Sequence, residues 1–247
     1  MLDVPLDRRL VLALDTPDRE AAMDLVRRTH KVVGTYKVGL ELFTAQGPSF
    51  VQWLRREGAD VFLDLKLHDI PNTVMGAVRQ AARLGVSLLT VHALGGPLML
   101  KAARDALSEQ TTLPGGEALR LLAVSVLTHH TGRDLESLGL EPDAERVVER
   151  LVRLAQDAGV DGCVCSPEEV RRVREVAGED FLIVTPGIRP EGAPLGDQAR
   201  TATPFEAVRD GADYIVVGRP IRTAPDPGRV AAEILEDIQR GLEARAS

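Results

Sequence analysis

The chain has 247 residues, 44% of them hydrophobic, and its 30 Lys and Arg against 37 Asp and Glu give a net charge of −7. An acidic chain without a basic block is a poor partner for nucleic acid or an anionic membrane surface, and no uncharged run reaches the roughly 18 apolar residues of a membrane span. We therefore expect neither partner, and a cytoplasmic protein built as one α/β barrel or two small domains.

Eight short apolar runs alternate with longer amphipathic segments, without a Ser/Gly linker between them. This alternation predicts eight βα units and therefore a single (β/α)₈ TIM barrel domain over residues 1–247. A doubly wound open sheet is the alternative, but Leu14-Asp15-Thr16-Pro17-Asp18 stands where its Gly-x-Gly-x-x-Gly turn would follow the first run, and Asp18 is placed to cap a helix. The predicted strands lie near residues 9–14, 35–39, 61–66, 88–92, 120–126, 161–165, 181–185 and 213–217.

The third predicted strand ends in a cluster of charge, in the segment Asp64-Leu-Lys-Leu-His-Asp-Ile-Pro-Asn-Thr73. Strand alternation places Asp64 and Lys66 on one face with Phe62, so that two opposite charges point into one cavity. An isolated Asp-x-Lys is more often a satisfied ion pair on a half-exposed strand. Further polar residues at the other strand ends favour a functional role instead.

Barrel enzymes build their sites from residues at the carboxyl ends of the strands. Four of the residues at these ends, Asp15, Lys37, Asp64 and Lys66, alternate in charge and can neutralise one another in a cavity where each lone charge would be costly to desolvate. His92 ends the fourth strand and is expected to pack or hydrogen-bond in the barrel mouth. The residues expected at the mouth are Asp15, Lys37, Asp64, Lys66, His92, Thr128, Arg189, Gly218 and Arg219.

The loops after strands seven and eight are the usual phosphate site of such barrels. Gly218 lets an anion approach the backbone, and Arg219 supplies a planar fork of donors, with Arg189 as a second candidate from the neighbouring loop. A lone Gly-Arg pair is a weak signal, and surface arginines are the alternative. The stretch 187–204 carries three prolines and three glycines and is too long for a simple connector, so we predict a lid from which Gln198 reaches inward.

The ten-residue segment from Asp64 to Thr73 resembles the signature of the orotidine 5′-phosphate decarboxylase family, and matching pieces run from the first strand to the eighth. The resemblance implies a TIM barrel that converts orotidine 5′-phosphate to uridine 5′-phosphate and CO₂ in pyrimidine biosynthesis, without metal or organic cofactor. The other pieces are Leu14-Asp15, Lys37-Val-Gly39, Val91-His92-Ala93, Thr185-Pro-Gly-Ile-Arg189 and Val217-Gly218-Arg219-Pro220.

The resemblance also implies a role for each site residue. Lys66 stabilises the carbanion left at C6 and protonates it, and Asp64 lies near the departing carboxylate. Asp15 and Lys37 bind the ribose hydroxyls, and Lys37 belongs to the charged array. Thr128 and Gln198 bind the pyrimidine edge, while Arg189 and Arg219, beside Gly218, bind the phosphate.

Asp69 and Thr73 follow the charged strand, where Ile70-Pro71 predicts an extended exit before a helix that begins at Asn72 or Thr73. Asp69 read alone would be a helix cap. In the resembling family these two residues cross to the neighbouring site, which implies a homodimer with shared active sites and Asp69 as part of the partner's charged array.

Two other functions remain open. A metal-dependent sugar-phosphate decarboxylase or synthase of the same superfamily would want an acidic ligand at the end of strand two, where this chain has Lys37. A non-catalytic nucleotide-binding barrel would be expected to have lost the acid, but Asp64, Lys66 and Asp69 are all present. Cys163 and Cys165 lack a second pair to complete a metal site and are expected to be buried, reduced thiols.

Overall fold

Eight parallel strands close into a barrel in the computed structural model, which describes residues 4–108, 118–191 and 201–246. Each strand pairs with the next in the chain, and β8 returns to β1 with Val216 opposite Val11. The strands are β1 (Leu10–Ala13), β2 (Thr35–Gly39), β3 (Asp60–Leu67), β4 (Leu88–His92), β5 (Arg120–Val124), β6 (Gly162–Val164), β7 (Leu182–Thr185) and β8 (Tyr214–Val217). The prediction of a single-domain TIM barrel is confirmed.

The described residues hold twelve α-helices, most of which surround the barrel. The helices are α1 (Leu6–Arg9), α2 (Arg19–Thr29), α3 (Leu40–Gln46), α4 (Pro48–Arg56), α5 (Pro71–Arg83), α6 (Gly96–Ser108), α7 (Gly132–Ser137), α8 (Ala144–Asp157), α9 (Val170–Ala177), α10 (Pro204–Arg209), α11 (Arg219–Arg222) and α12 (Pro227–Ala246). Asp18 caps α2 as predicted, because its carboxylate accepts from the backbone N–H of Glu20 and Ala21. Along the described part of the chain, no helix combines the length and apolar character needed to cross a membrane.

Two layers of apolar side chains hold the barrel together. The larger layer lies between the strands and the outer helices, and Leu65 and Leu67 of β3 pack against it. The smaller layer fills the barrel interior. Its buried members are Val11, Ala13, Phe62, Leu88, Leu122, Leu182, Val184 and Val216. These apolar side chains lie beneath the carboxyl ends of the strands, where Asp64 is found.

The strand boundaries match the prediction to within one or two residues. Two local details, the register of β3 and the start of α5, differ from a regular pattern. β3 is not a regular strand throughout: its register with β4 shifts between Leu63 and Leu67. Helix α5 begins at Pro71 rather than at Asn72 or Thr73, because proline is well suited to the first helical turn, where its missing N–H is not needed.

Candidate active site

A cavity of about 300 Å³ opens at the carboxyl ends of the strands. Its floor is apolar, formed by side chains of the barrel interior such as Phe62, Val124 and Val216. Its walls are polar. They include eight residues predicted from the sequence: Asp15, Lys37, Asp64, Lys66, Thr128, Arg189, Gly218 and Arg219. Polar walls above a packed apolar floor can hold a charged ligand away from bulk water.

Four charged side chains form a continuous chain along the rim of β1, β2 and β3. The ammonium Nζ of Lys37 lies 2.9 Å from Asp15 Oδ1 and 3.8 Å from Asp64 Oδ2. The ammonium Nζ of Lys66 lies 2.8 Å from both carboxylate oxygens of Asp64. The side chains of Lys37 and Asp64 are only 12% and 13% exposed. Alternation of sign lets these half-buried charges offset one another's loss of hydration, as the sequence predicted.

Gly39 makes room for this network at the end of β2. A Cβ at position 39 would lie 3.0 Å from Lys37 Nζ and 3.7 Å from Asp15 Oδ1. A side chain there would therefore press on the ammonium that joins the two aspartates.

The opposite side of the cavity carries arginines. β3 and β7 are four strands apart in the closed order, so Lys66 and the loop after β7 face each other across the mouth. Arg189 follows β7 and is buried, with one guanidinium nitrogen donating to its own neighbour's carbonyl, Ile188 O, at 2.8 Å. Arg219 begins α11 after Gly218, and Arg222 also lines the cavity. One side of the mouth therefore carries two carboxylates and two ammonium groups, whose charges cancel. The opposite side carries positive charge.

Sequence reasoning missed Arg222, although a signal was present. Residues three apart in a helix share a face, so a short helix that brings Arg219 to the cavity brings Arg222 with it. The weakness was that α11 is a single turn of four residues, which the sequence pattern did not reveal.

Two predicted site residues within the described part of the chain do not line the cavity. Asp69 and Thr73 are exposed, and Asp69 Oδ1 accepts from the backbone N–H of Ile70 at 2.6 Å. Asp69 does not cap α5, whose N-cap residue is Ile70. Gln198 belongs to residues 192–200 of the proposed lid, which lie outside the described residues.

Thr90 was missed because its position in the sequence carries no sign of a site role. It lies in the middle of β4, is completely buried, and contacts both Asp64 and Lys66 through its hydroxyl. An interior strand threonine is normally interpreted as core, and only the local shape of β3 brings it to the site.

His92 ends β4 at the carboxyl end of the barrel and is half-buried, but it does not line the cavity. Its Nδ1 accepts from the backbone N–H of Leu94 at 3.4 Å, and its ring stacks on that of His68 with centroids 5.3 Å apart. Burial, followed by the charges of His68, Lys66 and His130, lowers the pKa of His92 to about 4. The imidazole is therefore neutral at physiological pH.

The lowered pKa of His92 predicts a loss of stability in acid. Between about pH 6.5 and 4 the unfolded chain binds a proton at this residue and the folded protein does not, so stability falls as pH falls through that window. Because His92 is partly exposed, we expect this proton uptake to lower the free energy of unfolding by about 1 kcal/mol. Urea unfolding at pH 7 and pH 4.5 should show a smaller acid loss in His92→Gln than in the wild type. The exposed His30→Gln should lose as much as the wild type, and an equal loss in all three proteins would contradict the prediction.

Comparison with known proteins assigns the family. Residues 8–234 match the model of the orotidine 5′-phosphate decarboxylase / HUMPS family. A decarboxylase of this name from Anaeromyxobacter sp. (strain K) is 54% identical over 92% of this chain and 96% of its own, and one from Moorella thermoacetica is 48% identical over 94% and 92%. A crystal structure of orotidine 5′-phosphate decarboxylase from Lactobacillus acidophilus superposes with a TM-score of 0.82 at 39% identity, covering 94% of this chain and 99% of that one.

The fold and the site define a TIM-barrel enzyme whose charged mouth lies at the carboxyl ends of the strands. The chain belongs to the orotidine 5′-phosphate decarboxylase family, as the segment Asp64 to Thr73 predicted. It is accordingly a carboxy-lyase with a decarboxylation role in pyrimidine biosynthesis.

Proposed function

We propose that this enzyme decarboxylates orotidine 5′-phosphate to uridine 5′-phosphate by electrostatic stabilisation of a C6 carbanion, with neither metal nor organic cofactor. The observation that carries the proposal is the Lys66 ammonium, held 2.8 Å from the Asp64 carboxylate at the wall of the cavity. A cationic acid fixed beside an anion, above an apolar floor, is suited to a reaction that creates negative charge at one carbon.

The reaction breaks the bond between C6 and its carboxylate, and the electron pair stays on C6. The pair lies in the ring plane and cannot delocalise into a cofactor, so the protein must stabilise it by charge. We assign this role to Lys66, whose ammonium then donates a proton to C6 as CO₂ leaves. The neutral amine recovers its proton from water.

Asp64 acts electrostatically in this proposal. A substrate carboxylate bound next to Asp64 faces a second anion, and this repulsion disappears when the carboxylate becomes neutral CO₂. The same carboxylate accepts both hydrogen bonds from Lys66 Nζ and so holds the ammonium in the cavity. Asp64 therefore contributes to the position of the acid as well as to the charge balance.

The remaining walls are assigned to the rest of the nucleotide. Asp15 and Lys37, which form a 2.9 Å pair, are suited to the ribose hydroxyls because one accepts and the other donates. Thr128, in the loop after β5, and Gln198 are assigned to the pyrimidine edge.

The phosphate is assigned to the arginine side of the cavity. Arg189 and Arg219, beside Gly218, supply fork-shaped donors, and Arg222 adds a third positive charge. Because this side faces β3 across the mouth, the phosphate would be held far from the reacting carbon. Binding energy collected there can order the charged residues around the pyrimidine, which raises turnover if it is realised in the transition state.

We also propose a homodimer in which Asp69 and Thr73 complete the neighbouring site. Both are exposed and lie outside their own cavity. Exposed apolar side chains follow three adjacent strands at this end of the barrel: Leu40 after β2 is 57% exposed, Ile70 after β3 is 67%, and Leu98 after β4 is 76%. Large apolar side chains exposed on the same end of the barrel as Asp69 support an interface between two copies of the chain.

The proposal also covers the cellular compartment and the domain boundaries of the enzyme. We place the enzyme in the cytoplasm, since both cysteines are free thiols, which suits a reducing compartment. We take residues 1–247 as one domain, since the barrel is built from elements along the whole described chain.

A spectrophotometric assay with a chelator tests the proposed function. In metal-free buffer with EDTA, the enzyme should consume orotidine 5′-phosphate, followed by its ultraviolet absorbance, at the same rate as without EDTA. Loss of activity that magnesium restores would favour the metal-dependent sugar-phosphate relative instead. Tight binding of uridine 5′-phosphate without any turnover would favour a non-catalytic nucleotide-binding barrel.

A further inference from the structure

The register between β3 and β4 is broken at the charged site. Leu63 lies opposite Leu89 and Leu67 lies opposite Val91, so that three residues of β3 face the single residue Thr90 of β4. A regular parallel pair would place one residue there. The inserted residues form a bulge, and bulges next to active sites commonly redirect a side chain.

Lys66 lies in this bulge in an unusual backbone conformation. Among residues 4–108, 118–191 and 201–246 it is the only non-glycine residue with a positive φ, at 51°. A left-handed conformation at a non-glycine residue persists only when its surroundings hold it. Because of the bulge, the backbone N–H of Lys66 bonds to a side chain, donating to Thr90 Oγ1 at 2.8 Å.

The same hydroxyl also contacts Asp64. Thr90 Oγ1 lies 3.0 Å from Asp64 Oδ1, and an ionised carboxylate can only accept. The single hydroxyl proton therefore goes to Asp64, while the oxygen accepts from the Lys66 backbone. Thr90 is 0% exposed and does not line the cavity, so it reaches the substrate only through these two neighbours.

We propose that Thr90 is a positioning residue for the decarboxylation, one whose hydroxyl fixes both the Lys66 backbone and the Asp64 carboxylate. This inference rests on the proposed roles of Lys66 and Asp64. Three short contacts close a triangle: Lys66 N–H to Thr90, Thr90 O–H to Asp64, and Asp64 to Lys66 Nζ. The triangle fixes the direction from which the ammonium meets the reacting carbon.

The test is a comparison of Thr90→Val with Thr90→Ser. Valine has almost the same shape but neither accepts nor donates, so Lys66 and Asp64 lose their common anchor. We expect kcat to fall by about 10- to 100-fold in Thr90→Val, with KM changed by less than about threefold, since small misplacements of reacting groups slow the chemical step. Thr90→Ser keeps the hydroxyl and should retain kcat to within about threefold.

Thr35→Val is the matched control. Thr35 is also a buried strand threonine, 1% exposed, but its hydroxyl donates to Arg8 O at the opposite end of the barrel. A purely structural loss of one buried hydroxyl would affect Thr35→Val and Thr90→Val alike. We expect Thr35→Val to keep wild-type kcat, although its melting temperature falls. Equal kcat in Thr90→Val and wild type, or equally slow Thr90→Ser and Thr90→Val, would overturn the role of Thr90.

Two further variants keep the outcome decisive. If Thr90→Val does not fold, Thr90→Cys, whose thiol is a weak hydrogen-bonding group, should show lower kcat than Thr90→Ser, and wild-type turnover in it would contradict the proposal. Lys66→Ala is assayed in parallel. Retained activity in Lys66→Ala would overturn the proposed function itself, whereas an inactive Lys66→Ala beside a fully active Thr90→Val would overturn only the role of Thr90.

Discussion

Replacement of Lys66 by alanine is expected to lower kcat by at least about 10⁴-fold, because it removes both the charge that stabilises the carbanion and the acid that protonates it. No other ammonium among the described residues can take over: Lys37 Nζ is already 2.9 Å from Asp15 and lies on the next strand. The measurement is the ultraviolet assay with orotidine 5′-phosphate at saturating concentration.

Binding should survive this change far better than turnover. The phosphate and ribose are assigned to Arg189, Arg219 and Asp15, which Lys66→Ala leaves in place. We therefore expect the affinity for uridine 5′-phosphate to change by less than about tenfold, a free energy of about 1.4 kcal/mol. A large loss of product affinity together with activity would indicate that Lys66 organises the whole site rather than the reacting carbon.

Lys101→Ala is the matched control for Lys66→Ala. Lys101 lies on α6, is 63% exposed and forms a surface ion pair with Asp105 at 2.7 Å, a type of pair that contributes little to stability. Its removal should leave kcat and the melting temperature unchanged. Activity above about 1% of wild type in Lys66→Ala would contradict the assigned role of Lys66.

Lys66→Arg separates the two roles of this residue. A guanidinium keeps the positive charge but does not lose its proton at any accessible pH, so it stabilises the carbanion without protonating it. We expect turnover above that of Lys66→Ala and still about 10²-fold or more below wild type.

The barrel was predictable from the sequence because its signal is repeated eight times. Each apolar run predicts one buried parallel strand, and errors at single boundaries do not change the number of units. Thus Arg9 was predicted in the first strand and instead ends α1, yet the order of the sheet is unaffected.

The charged residues of the cavity were predictable for a related reason. In a closed parallel barrel the carboxyl ends of all strands meet at one mouth, so Asp15, Lys37 and Asp64 converge although they are far apart in the chain. Their pairing follows from adjacent strands carrying opposite charges. Only the order of the strands was needed for this result.

The local shape of β3 could not be predicted. Regular strand alternation correctly predicted that Asp64 and Lys66 point into the same cavity. The backbone that brings them there, however, contains a bulge and a left-handed conformation at Lys66. Bulges depend on a fit between two strands, and the residue that completes this one, Thr90, lies 24 positions further along the chain. A sequence pattern read one strand at a time does not contain that information.

Mixing two inactive variants is expected to restore activity, because the proposed site takes Lys66 from one chain and Asp69 from the other. Lys66→Ala and Asp69→Ala homodimers each lack one of these groups in both sites. In a mixed dimer, one site combines Lys66 of the second variant with Asp69 of the first and is intact. Subunit exchange at equal concentrations should therefore recover about a quarter of the wild-type activity, since half of the dimers are mixed and each has one good site.

Lys66→Ala mixed with Asp64→Ala provides the matched control. Asp64 and Lys66 belong to the same wall of the same chain, with Lys66 Nζ 2.8 Å from Asp64, so every site in that mixture lacks one of them. No recovery is expected there, even when differently tagged chains are shown to have exchanged. In the Asp69 mixture, by contrast, exchange without recovery would contradict the shared site and place Asp69 within the site of its own chain. That placement conflicts with the structure, because the exposed Asp69 bonds to the Ile70 backbone and does not line its own cavity. Recovery in the Asp69 mixture alone would therefore assign Asp69 to the active site of the neighbouring chain.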